Sequence, residues 1–198
     1  MNTGQLHETN STGPATPGPN STGPATPGPT GLYTPEPTGL YTPDRIRTYT
    51  GRYIDPLNPT PEDIHIEDIA HALSHQCRFG GHTTLFYSVA EHSLDVLSRV
   101  NADRLAALLH DASEAYLLDI PSPVKYRLPG YREAEDRLMA VIAEKFGFHW
   151  PLSAEVKNAD REALVYEWEA FVLRGGVEPI SPDRIKYDFL RAFDTLTK

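Results

Sequence analysis

The chain has 198 residues, 39% of them hydrophobic, with 18 prolines, a single cysteine and a formal net charge of −9. That length suffices for one ordinary domain but not for two large ones. The acidic balance, with pI near 5.3, offers a nucleic-acid backbone no broad positive field, so polymeric nucleic acid is not an expected partner. Lone Cys77 excludes an internal disulfide framework and thiolate-rich zinc sites. No apolar run approaches ~18 residues and no basic-then-apolar leader opens the chain, so a soluble, cytoplasmic protein with no membrane partner is expected.

Residues 1–45 are low-complexity. The decapeptide that begins at Asn10 repeats unchanged from Asn20, and a Thr-Gly-Leu-Tyr-Thr-Pro unit occurs at Thr30 and again at Thr38. Proline fixes φ and removes backbone donors, and few of these side chains could fill a core, so a disordered tail with polyproline-II character is expected. A repeat expansion ahead of the domain explains it without a binding role, although a proline-rich ligand for a partner domain is conceivable. The folded domain is expected over 46–198.

An extended segment over 50–56 and a turn-rich connector precede helical spacing at Ile64, Ile66, Ile69, Ala70 and Leu73. In the loop over 76–83, Gly80 and Gly81 permit close backbone approach to a ligand, and Arg78 is a candidate phosphate clamp. Ser88 and Glu91 form a capping box for a helix running to about Val100, which puts His92 among Val89, Val96 and Val100. A histidine on such a face is more often a hydrogen-bonded core residue than a ligand.

The central stretch reads as one helix capped by Asn101 and ending near Asp119. Leu105, Leu109, Ala112 and Tyr116 make its core stripe, and His110, Asp111 and Glu114 fall within roughly a quarter-turn on the other side, one turn after Ala107. An imidazole, an adjacent carboxylate and a second carboxylate one turn on suit a metal site with an acid/base group beside it. A rigid turn over Ile120–Pro123 precedes Lys125. Further helices are expected over 131–146, from Ser153 to Gly175-Gly176, and from Ser181-Pro182 onward. Asp160 shares a stripe with Val156, Leu164 and Phe171, where a carboxylate is costly unless something cationic pairs with it. With no strand pattern of any length, the domain is expected to be all-α.

His92, His110, Asp111 and Asp160 thus point inward from three helices. Each has an ordinary structural explanation alone, but together they make a mixed nitrogen and oxygen site for a borderline divalent ion such as Mn, Co, Fe, Ni or Zn. The order H…HD…D resembles the HD-domain metal-dependent phosphohydrolase superfamily. The segments over 77–82, 87–93, 109–116 and 119–125 are similar to its small bacterial and phage branch, related to HD-domain 5′-deoxynucleotidases.

The resemblance covers about residues 48–195 and implies an HD-domain helical bundle in a homo-oligomer, with one divalent metal, Mg included among the possibilities. By matching position, it implies that His92, His110, Asp111 and Asp160 are the ligands and that Glu114 activates water and later protonates the leaving oxygen. It further implies that Arg78 contacts phosphate or nucleotide and that Asp119 lies near the sugar hydroxyl, with His82 and Lys125 as further phosphate contacts. Phe79 stands where related nucleotidases can carry tryptophan, and either ring could stack on a base. The activity implied is hydrolysis of (deoxy)nucleoside 5′-monophosphates to nucleoside and phosphate. Alternatives are a dNTP triphosphohydrolase with the same centre, a cyclic-nucleotide or alarmone hydrolase, and a non-catalytic nucleotide sensor.

Overall fold

Apolar residues at helical spacing organise the chain from Ile64 onward, and the structure, a computed structural model, folds them into helices around a shared core. It describes residues 44–176 and 178–198, so the expected tail lies, up to residue 43, outside the described residues. The described residues belong to one unit, Glu36–Lys198. A two-residue antiparallel pair, β1 (Ile46–Arg47) and β2 (Tyr53–Ile54), opens it. The turn between them is tied down by Asp68, which accepts from the Thr50 amide at 2.7 Å and the Thr50 hydroxyl at 2.9 Å.

Eight helices follow among the described residues: α1 (Ile66–His75), α2 (Val89–Arg99), α3 (Arg104–Leu108), α4 (Glu114–Leu117), α5 (Ser122–Lys125), α6 (Tyr131–Phe146), α7 (Ala154–Glu167) and α8 (Pro182–Leu196). The fold is all-α apart from the short β pair. Helix α1 packs on α8, α2 and α4, while α2 packs on α3, α7 and α8. Their contact is filled by Ile69, Leu73, Val96, Leu108, Leu109 and Phe189, all essentially removed from water. None of these helices is long and apolar enough to cross a membrane.

Three expectations need correction. The central stretch is not one helix: α3 and α4 are separated by a turn over Leu109–Ser113. The amides of Ala112 and Glu114 reach back only three residues, to Leu109 and Asp111, which tightens the chain where a regular helix would carry adjacent side chains ~100° apart. Asn101 is not the cap, since α3 starts after Asp103, and the Glu155 carboxylate receives the Asn101 amide at 2.9 Å instead. On α7 the buried stripe is Val156, Ala159, Ala163 and Glu167, whereas Leu164 is exposed and Asp160 half-exposed. Steps of four residues drift ~40° around a helix, so the i, i+4 series leaves the core face while Glu167, two full turns after Asp160, returns to it.

Candidate metal centre

Local sequence fixes each ligand-bearing element. Ser88 caps α2, accepting from the Glu91 amide at 3.1 Å while Glu91 receives the Ser88 amide at 2.8 Å, so the helix starts where His92 faces the core. His110 and Asp111 sit in the tight turn between α3 and α4, and α7, packed on α2, brings Asp160 across. His92 Nε2 lies 3.1 Å from His110 Nε2, 3.1 Å from Asp160 Oδ1 and 3.4 Å from Asp111 Oδ2. His110 Nε2 lies 3.2 Å from Asp111 Oδ2 and 3.8 Å from Asp160 Oδ1. His92, His110 and Asp160 thus form a group that could hold a metal ion, and Asp111 Oδ2 lies against both imidazoles beside it.

The hydrogen bonds behind the rings decide which nitrogens face the focus. His110 Nδ1 donates to the Ala107 carbonyl at 2.8 Å, and His92 Nδ1 donates to Glu167 Oε1 at 2.6 Å. With Nδ1 of each ring committed as a donor, both Nε2 atoms turn toward one another and toward two carboxylate oxygens, as in carboxylate–histidine–metal arrangements. Four electron-rich atoms this close call for a shared positive charge. With metal–ligand bonds of about 2.1 Å, ligands at right angles sit about 3.0 Å apart and tetrahedral ones about 3.4 Å apart. Four of the observed spacings, 3.1–3.4 Å, fall between those edges and the fifth, 3.8 Å, lies just beyond them, so the residues fit a divalent ion.

Protonation follows the same charge demand. Burial and Arg78 push the His92 imidazole down, yet the bonds to Asp160 and Glu167 and the Asp111 charge carry it up to about 9. Burial alone would raise Asp111, but His110, His92 and Arg78 outweigh it and hold the carboxylate far below its usual range. A divalent ion would compete with a proton for this place, so its uptake would release the proton.

Around the focus stand the residues expected to act as acid/base and anion-binding groups. Glu114 is buried at the start of α4; its Oε1 pairs with Lys125 Nζ at 3.3 Å, and its Oε2 has no hydrogen-bond partner. Burial, then Asp111 and Asp119, raise its carboxyl well above the ordinary value, against the opposing pull of Lys125 and Arg78. Arg78 is buried with NH2 3.1 Å from Glu167 Oε2, and with NH1 3.7 Å from Asp111 Oδ2 and 3.9 Å from Asp119 Oδ2. Burial lowers its guanidinium, but Glu167, Asp111, Asp119 and Glu114 more than offset that, so it stays charged. The turn that carries it folds through left-handed Phe79 (φ 56°) and Gly80 (φ 62°), where a Cβ on Gly80 would stand 3.2 Å from Pro121. Phe79 faces Trp168 edge-on at 5.8 Å.

Not every expected contact residue is in this position. Lys125 pairs with Glu135 at 2.8 Å as well as with Glu114 at 3.3 Å, so it stands beside the cluster as a partner of two carboxylates. His82 is exposed, at the end of the turn that carries Arg78. Asp119 is held by its amide on Gln76 Oε1 at 3.2 Å. Sequence reasoning missed Glu167, Tyr87 and Glu135. The seven-residue step from Asp160 to Glu167 was the available signal for the first.

No protein-family model matches the chain. It is 45% identical over 126 residues to the uncharacterized protein YfdR of Escherichia coli, a match covering 62% of this chain and 69% of YfdR. It is 47% identical over 128 residues to an uncharacterized protein of Rhodobacter capsulatus, covering 59% of this chain and 65% of the relative. It is also 30% identical over 127 residues to a 5′-deoxynucleotidase of Vibrio vulnificus, covering 58% of this chain and 57% of that protein.

Proposed function

Since this chain belongs to the family of the E. coli protein YfdR, and a 5′-deoxynucleotidase stands among its relatives, we propose that it is an HD-domain, metal-dependent phosphohydrolase that splits (deoxy)nucleoside 5′-monophosphates into nucleoside and orthophosphate. The observation that carries the hydrolytic part is the convergence of two imidazole Nε2 atoms with two carboxylates beside a buried carboxyl that has one oxygen unpaired. The nucleotide part rests on the relative.

His92, His110, Asp111 and Asp160 would hold the ion, which when bound supplies Lewis-acid charge to a phosphoryl oxygen and makes water more acidic. The remaining work falls to the chain. Glu114 takes a proton from the attacking water as its oxygen bonds to phosphorus, then returns that proton to the 5′ oxygen as the P–O bond breaks. Arg78, anchored through NH2, turns NH1 toward the phosphate and shares the charge that develops on its oxygens. Phe79 and Trp168 offer aromatic surface for a base beyond Arg78.

Charge favours a monophosphate over a triphosphate. Among the described residues, the Lys and Arg side chains paired with these carboxylates are Arg78 and Lys125, and both are already shared with Asp111, Asp119, Glu114, Glu135 or Glu167. A triphosphate brings more negative charge to these two cations than a monophosphate does. The test offers dAMP and dATP separately to protein loaded with Mn(II) or Co(II), with products separated by chromatography. Orthophosphate from dAMP with dATP untouched is expected. Tripolyphosphate from dATP would replace the reading by the triphosphohydrolase one, and no turnover of either would return the site to a binding role.

A further inference from the structure

Glu167 is fully buried, yet it divides its two oxygens between two different jobs. Oε1 receives His92 Nδ1 at 2.6 Å and the Tyr87 hydroxyl at 3.0 Å, while Oε2 receives Arg78 NH2 at 3.1 Å. The other end of the same guanidinium, NH1, stops 3.7 Å short of Asp111 Oδ2 and 3.9 Å short of Asp119 Oδ2, outside hydrogen-bond reach. A buried arginine this close to three carboxylates closes on whichever attracts it most, and of the three only Glu167, at 3.1 Å, is within hydrogen-bond distance. Glu167 wins that competition. Its place is set by α7 ending at Glu167 and widening at once into the π-helical turn Trp168–Leu173.

We propose that Glu167 is the positioning residue that keeps the metal site open: it anchors Arg78 away from Asp111 while fixing the His92 ring, so that Asp111 stays available to the ion and NH1 stays available to substrate phosphate. This rests on the metal reading of the preceding subsection. An isosteric amide at 167 can still accept from His92 through its oxygen, but its NH2 then faces Arg78 NH2, donor against donor. The guanidinium is released toward Asp111, and a ligand carboxylate becomes the partner of an arginine.

The test is titration calorimetry of Mn(II) into protein stripped with chelator and dialysed, with thermal unfolding recorded for each variant. Glu167→Gln should weaken Mn(II) binding about 10–100-fold, the range for partners that orient metal ligands. Adding Arg78→Met to Glu167→Gln should restore most of that loss, because the competing cation is gone. A merely structural role for Glu167 would not be rescued this way. Arg78→Met alone should bind Mn(II) at least as tightly as wild type, and this variant decides the matter should Glu167→Gln fail to fold.

Unchanged binding in Glu167→Gln, a double variant as weak as the single one, or a tenfold loss in Arg78→Met would each overturn the inference while leaving the metal reading intact. Wild-type protein that takes up no Mn(II) would overturn the metal reading, and this inference with it.

Discussion

Glu114 can serve as base and then as acid only if its carboxyl stays near the point of titration, and its surroundings pull it both ways. Burial, Asp111 and Asp119 favour the neutral form; Lys125 at 3.3 Å and Arg78 favour the charged one. Glu114→Gln keeps the volume but cannot move a proton, so turnover should fall by about 10²–10⁴-fold with Mn(II) binding retained. Residual turnover within tenfold of wild type would remove Glu114 from the proton path. Lys125→Met removes a cation that stabilises the carboxylate, so the Glu114 pKa rises. Because the base form is the one that starts the reaction, the acid limb of the kcat/KM–pH profile should move to higher pH. A phosphate-contact role for Lys125 would instead raise KM and leave the limb where it was. At this scale the sequence is informative where chemistry is concentrated: His92 is an odd residue for the buried face of α2, and the adjacent His110-Asp111 pair and Asp160 come close to it. Glu167 and Glu135 resemble ordinary surface glutamates, and only the fold shows that one is buried against His92 and the other paired with Lys125.

Elements were legible where apolar spacing ran unbroken. Helix α6 occupies Tyr131–Phe146, and the Ser88, Ser153 and Ser181 caps are where hydroxyls precede helical runs. The break between α3 and α4 was hidden because Leu105, Leu109, Ala112 and Tyr116 keep helical spacing across it, although His110, Asp111 and Ser113 within it are weaker helix formers. What interrupts it is tertiary: the turn sends His110 and Asp111 together into the cluster. The connection after α4 is forced as well. Leu118 adopts φ 68°, ψ 153°, a region normally reserved for glycine, and the Tyr131 hydroxyl clasps its carbonyl at 2.9 Å and that of Leu117 at 3.2 Å. The Leu118 side chain is 60% exposed, so little burial is lost on removing it. Relief of ~1–3 kcal/mol of strain exceeds the ~0.5–1 kcal/mol of chain entropy that glycine adds, so Leu118→Gly should stabilise by about 1 kcal/mol. Urea unfolding measures this, and a lower midpoint at unchanged slope would show that Leu118 is not strained.

The proposed ligands come from parts of the chain far apart in sequence, α2, the α3–α4 turn and α7, and an ion among them would bind only when these elements are packed. Binding to the folded state alone adds RT ln(1 + [L]/Kd), about 2.7 kcal/mol at a hundredfold excess over Kd. For a chain of this size that corresponds to a rise in Tm of about 5–10 °C when Mn(II) is restored to chelator-treated protein. The same site explains why the ion-free protein should still fold. Its helices are joined by Ile69, Leu73, Val96, Leu108, Leu109 and Phe189, none of which depends on the ion. Asp160 separates the two contributions, because its side chain is 44% exposed and it sits off the core stripe of α7. Asp160→Ala should therefore leave the ion-free Tm within a few degrees of wild type, since surface changes away from the core are usually small. It should also abolish most of the Mn(II)-dependent rise. Differential scanning calorimetry of both proteins, with and without Mn(II), reads the two effects together. An equal rise in the variant would mean that the ion stabilises the fold from some place other than this cluster.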